Sequence, residues 1–190
     1  VVADVSGKGI PGAMFMMTSK TLIKSHAESG LAVNDVFTHV NAQLCENNEA
    51  GMFVTAWMGI LNLETGLIRY ANAGHNPPVV KHKDGTYEYL KGRANFVLAG
   101  MEGIRYKEQQ LQLQQGDEIY LYTDGVTEAH DINNQLFGEN RLLVSLNETD
   151  GMSVDEICRK VKRDVDAFQG EAEQFDDITM LCVRLNEVEN

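Results

Sequence analysis

Three acidic positions in this chain share one local setting. Asp4 lies at the end of an apolar run, Val1 to Val5, and is followed by the glycine-rich turn Ser6-Gly7-Lys8-Gly9. Asp124 follows the apolar run Ile119 to Thr123 and precedes Gly125. Asp176 and Asp177 stand immediately before a third run, Ile178 to Val183. Carboxylates at strand ends can converge at one edge of a sheet. Converging charges away from water are costly unless a cation lies between them. Aspartate oxygens, backbone carbonyls and water suit Mg²⁺ or Mn²⁺. No His/Cys cluster of zinc type accompanies them. The plainer reading, a turn former or helix cap, fits any one of these aspartates alone but fits three in the same setting less well.

Other candidates are weaker. Ser6-Gly7-Lys8-Gly9 is not a nucleotide phosphate loop, because no Gly precedes at the required spacing and no Ser or Thr follows Lys8. Its glycines still allow close approach of the backbone to an ion. In Ala73-Gly74-His75-Asn76-Pro77-Pro78, His75 reads first as a turn histidine bonded to nearby backbone, and second as a proton donor or phosphate contact. Ser6 with His75 gives no sign of a nucleophile and base that meet. His26, His39, His82 and His130 read as solvated or core-edge residues, and the eight Met residues as core.

Composition sets the frame. The chain has 190 residues, 43% of them hydrophobic, enough for one globular domain over 1–190 with a sizeable core. No apolar stretch is long enough to span a membrane. The formal net charge of −12 disfavours a nucleic acid or an anionic membrane surface as partner and favours a bound cation. Cys45, Cys158 and Cys182 are scattered and odd in number, which disfavours a disulfide scaffold or zinc ribbon and favours a reducing cytoplasm. The chain opens on Val-Val-Ala-Asp without Met or signal peptide and reads as cut from a longer protein.

The elements that must position these residues follow from periodicity. Val1 to Val5 reads as a strand. Pro11 opens a helix from Gly12 to about His26, whose spacing of Ala13, Met14, Met17, Thr18, Thr21, Leu22 and Ser25 predicts one buried face. Asn34 caps a second helix to Leu44, with Val36, Phe37, Val40 and Leu44 inward. Strands are expected over 53–63, 67–72, 79–83, 86–90, 104–113 and 118–123, with hairpin turns at Glu64-Thr65-Gly66 and Asp84-Gly85. Helices follow over 140–146 and 154–168, the latter capped by Ser153, then a strand over 178–185. Gly170 to Gln174 reads as a surface loop. This order predicts an α+β sandwich rather than a parallel βαβ fold.

Four motifs occur in order: Asp4-Val5-Ser6-Gly7-Lys8-Gly9-Ile10-Pro11-Gly12-Ala13, Ala73-Gly74-His75-Asn76-Pro77, Tyr122-Thr123-Asp124-Gly125-Val126-Thr127-Glu128-Ala129, and Phe175-Asp176-Asp177-Ile178-Thr179. Together they resemble the bacterial PP2C-like serine/threonine phosphatases of the stage II sporulation E and sigma-B-regulator type, from Asp4 to Leu185. The resemblance implies an α-β-β-α sandwich of antiparallel sheets flanked by helices, and two Mn²⁺ or Mg²⁺ ions. By motif, Asp4 would bridge both ions, the Val5 carbonyl would complete that turn, and Asp124 and Asp176 would add carboxylates. Asp177, Thr179 and Glu128 would support the site. The reaction would use a metal-activated water and no catalytic side chain beyond it.

The family's upstream motif of Gly-Asp-Phe/Tyr-Tyr-Asp type does not precede Asp4 here. The expectation is therefore a domain lacking its first strands, an incomplete metal centre with weak or no activity, and an open sheet edge that invites a homodimer. The resemblance implies a phosphorylated regulatory protein of anti-sigma-factor-antagonist type as substrate, with any membrane tether lying in an upstream region. The alternative is a pseudophosphatase that docks a partner without catalysis. A nucleotide-binding regulator would need an adenine pocket and a phosphate loop, and neither is visible.

Overall fold

The computed structural model describes residues 1–46, 48–82 and 85–186. In chain order the elements are β1 (Val2–Val5), α1 (Gly9–Glu28), α2 (Val33–Cys45), β2 (Val54–Leu61), β3 (Leu67–Ala73), β4 (Val79–Lys81) and β5 (Tyr87–Tyr89). There follow β6 (Gln109–Gln112), β7 (Glu118–Tyr122), α3 (Asp124–Thr127), α4 (Gly138–Asn147), α5 (Val154–Gln169) and β8 (Met180–Arg184). They form two compact units, residues 1–75 with 92–112, and residues 76–91 with the chain from 113 onward. Among the described residues, no helix is long and apolar enough to cross a membrane.

The first unit holds an antiparallel sheet in the order β1-β2-β3-β6. In α2, Val33, Val36, Phe37, Val40 and Leu44 recur every three or four residues and are all buried. They pack with Val54, Ala56, Met58, Ala71 and Ala73 on one sheet face. Burial of each large aliphatic side chain contributes roughly 1.5–3 kcal/mol. The opposite face carries Val2, Trp57, Ile68 and Tyr70, also buried, with Trp57 stacked on Tyr70.

The second unit holds an antiparallel sheet in the order β5-β4-β7-β8. Every residue of β7 is buried. Ile157, Val161 and Val165 of α5 lie at four-residue spacing and pack with Tyr120, Tyr122 and Cys182. Ser153 and Glu156 form a reciprocal cap at the start of α5, as its sequence predicts.

Several expectations need correction. In α1 the buried residues are Gly12, Ser19 and Ile23, while Met14 and Met17 are 66% and 64% exposed. Of the predicted stripe Leu22 packs, partly buried, against the core while its other members are exposed, and Met14, Met16, Met17 and Met101 are not core residues. Small residues on the buried side hid the true face from a hydropathy pattern. The residue before α2 is Ala32, with no side-chain cap, and Asn34 lies inside the helix bonded to Asp35. The expected strand over 104–113 shrinks to β6, because the backbone N–H of Tyr106 turns to the hydroxyl of Thr38 instead of a ladder. Asp124 opens the short helix α3 instead of ending a strand, and β8 begins at Met180. Lys83 and Asp84, parts of the expected β4 strand and hairpin, lie outside the described residues.

Candidate metal centre

In the first unit, Asp4 is the third residue of β1 and pairs across to Thr55 of β2. The turn after it is closed by two bonds to Phe53. Its N–H donates to the Ser6 hydroxyl at 2.7 Å, and its carbonyl accepts from Ser6 N–H at 2.9 Å. Gly12 lets α1 sit on this turn, since a Cβ there would stand 2.5 Å from the carbonyl oxygen of Gly7. The glycines of this motif therefore set how β1 enters α1.

His75 is 4% exposed and held on both sides. Its N–H donates to Asn72 Oδ1 at 2.7 Å, and its carbonyl accepts from Asn72 Nδ2 at 2.9 Å. Its Nδ1 shares a hydrogen bond with Thr55 Oγ1 at 2.9 Å. Bonding to nearby backbone was expected, but the His75 backbone is held by the Asn72 side chain and the ring meets the Thr55 hydroxyl on another strand. Thr55 carried no signal in the sequence beyond its place on an apolar strand.

In the second unit, the Asp124 and Asp176 segments are stitched together through Thr123. Its hydroxyl donates to the Asp177 carbonyl at 3.1 Å and accepts from Thr179 N–H at 2.9 Å. Its own N–H donates to the Thr179 carbonyl at 3.0 Å. Gly125 leaves room for the backbone of Asp176 and Asp177. Asp177 and Thr179 thus meet Thr123 through their backbone, and Thr123 is a residue that spacing alone did not single out. Burial, then the charges of Asp124 and Asp176, push the Glu128 carboxyl above its ordinary value. Glu128 thus lies within electrostatic reach of both Asp124 and Asp176.

Asp124 Oδ1 is buried with no hydrogen-bond partner. A buried carboxylate oxygen in that state, beside two further carboxylates, fits a divalent cation. Among the described residues of either unit, no three His, Cys, Asp or Glu side chains form a group that would hold an ion unaided. Mg²⁺ is commonly held by one or two carboxylates with several retained waters, so this donor set fits it.

Residues 1–186 match the stage II sporulation protein E (SpoIIE) family. The chain belongs to that family. Phosphoserine phosphatase RsbU of Bacillus subtilis is 36% identical over 129 residues, 67% of this chain and 38% of RsbU. The chain spans about a third of the length of the curated relatives it matches. The SiaA-PP2C domain of Pseudomonas aeruginosa superposes with a TM-score of 0.83 at 23% identity, covering 96% of this chain and 73% of that one. RsbX in complex with magnesium superposes with a TM-score of 0.66 at 18% identity, covering 95% and 77%. The SpoIIE-family chain described here has the PP2C-like fold, as its motifs lead one to expect.

Proposed function

We propose that this SpoIIE-family chain is a metal-dependent protein serine/threonine phosphatase domain. The observation that carries the reading is the orphaned, buried Asp124 Oδ1 beside Asp176 and Glu128, within a motif of that family. Asp4, the Val5 carbonyl, Asp124 and Asp176 are the proposed ligands of two Mn²⁺ or Mg²⁺ ions. The ions, when bound, would lower the pKa of a coordinated water and offset charge on the phosphoryl oxygens.

The residues of the chain do the positioning. Thr123 ties the segment after Asp176 to the strand before Asp124, which holds the two acidic segments side by side. Glu128 keeps a negative field on the same spot, which favours cations over water. No side chain is needed as a covalent carrier of phosphate. The proposed substrate is a phosphoserine or phosphothreonine on a regulatory protein of anti-sigma-factor-antagonist type, and the proposed setting is the cytoplasm.

The test is phosphate release from a phosphoserine protein substrate, with and without Mn²⁺, using the full-length protein that contains this chain. Mn²⁺-dependent turnover that falls to background in Asp124→Asn is the expected result. Absence of turnover on several phosphoserine substrates would replace the enzyme with a docking module.

A further inference from the structure

Asp4 and Thr55 are directly opposed in the antiparallel pair of β1 and β2. Directly opposed residues carry their side chains on the same sheet face, with Cβ atoms roughly 4.5–5.5 Å apart. The next pair, Val5 with Val54, turns to the other face and packs in the core against α2. Asp4 and Thr55 therefore share the face on which the His75 ring meets the Thr55 hydroxyl.

The histidine is not a loose partner. Asn72 grips its backbone from both sides, and the Asn72 carbonyl in turn accepts from the backbone and side-chain N–H groups of Asn95, at 2.8 and 3.1 Å. Asn72 and His75 are both buried. A buried ring on a backbone so held limits the direction of the hydroxyl it bonds. If Nδ1–H donates to Oγ1, the single proton of the threonine hydroxyl is left to point elsewhere, and an opposed carboxylate is an acceptor within its range. Such outer partners orient ligating carboxylates, and their loss commonly costs about 10–100-fold in metal affinity.

We propose that Thr55 and His75 are positioning residues for Asp4: His75 donates through Nδ1–H to Thr55, and the Thr55 hydroxyl donates to the Asp4 carboxylate, holding it in the orientation that binds a divalent cation. The proposal rests on Asp4 being a metal ligand, as put forward above. It gives the Ala73-Gly74-His75-Asn76-Pro77 motif a role that its sequence alone leaves open.

The experiment is Mn²⁺ titration of the full-length protein that contains this chain, followed by the electron paramagnetic resonance signal of free Mn²⁺, with far-ultraviolet circular dichroism to confirm folding. The variants are Asp4→Asn, Thr55→Val, Thr55→Ser and His75→Gln. Asp4→Asn should abolish the tightest binding. Thr55→Val and His75→Gln should weaken it about tenfold or more. Thr55→Ser, which keeps the hydroxyl, should bind as wild type does. A merely structural pair would lower the melting temperature of Thr55→Val yet leave its dissociation constant unchanged, and that result overturns the proposal. Wild-type binding in Asp4→Asn would remove the metal role of Asp4 itself, and the proposal with it.

Discussion

A side chain on Gly125 would run into the backbone of Asp177. A Cβ there would stand 3.0 Å from the Asp177 carbonyl carbon and closer still to its oxygen, with the Asp176 oxygen at 3.4 Å. The obstacle is backbone held by Thr123, so it has little freedom to withdraw.

Gly125→Ala should therefore displace the Asp176–Asp177 segment and cost about 1–3 kcal/mol of stability. Urea unfolding and Mn²⁺ titration of the same variant should both change. Unaltered behaviour in both would show that the segment relaxes freely.

Glu118 is 1% exposed and stands between two cations. Arg184 Nε donates to its Oε1 at 2.8 Å, Lys81 Nζ lies 3.9 Å from the same oxygen, and the Tyr87 hydroxyl donates to Oε2. Removing one member of a buried ionic group strands the others, at a cost of about 3–5 kcal/mol. Glu118→Leu should lose that much in chemical denaturation. A loss below about 1 kcal/mol would mean that water reaches the cations.

Asp164 gives a pH signature. Burial pushes its carboxyl up, but hydrogen bonds from Lys160 and Ser145 and the Lys160 charge outweigh this, holding it below the ordinary 3.8. A depressed folded value stabilises the fold above 3.8, and that contribution disappears as pH falls through the folded value. The stability gap between wild type and Asp164→Asn should be open at neutral pH and close in strong acid. A gap independent of pH would remove the ion pair from the explanation. Because Asp164 is partly exposed, salt should narrow the gap.

Burial, followed by the charges of Glu118 and Cys158, pushes the Cys182 thiol up to about 12. Only the thiolate reacts readily. At mildly alkaline pH, Cys182 should resist alkylation in the folded chain and react once urea unfolds it, as peptide mass spectrometry can follow. Equal rates in both states would contradict its burial.

The elements that the sequence made legible are those with one apolar face and polar neighbours. Val36, Phe37, Val40 and Leu44 mark α2, and Ser153 with Glu156 marks the start of α5. The buried side of α1 was illegible because Gly12 and Ser19 fill it, while methionines face outward. Asp124 was legible as an acid between an apolar run and a glycine, Asp176 as an acid before an apolar run, and Glu128 through its motif alone. Thr55 and Thr123 were not, because a threonine on an apolar strand looks like any β-branched residue until its hydroxyl's partner is known. The helix α3 was hidden by its length of four residues.

Lys81, Glu118 and Arg184 occupy directly opposed positions on β4, β7 and β8. Sliding β8 by one residue would set Val183 or Leu185 against Glu118, turn the guanidinium to the opposite face, and leave a buried carboxylate short of its closest cation. The row acts as a pin that admits a single alignment of these strands, which fixes how far along β7 the chain lies when it turns into Asp124.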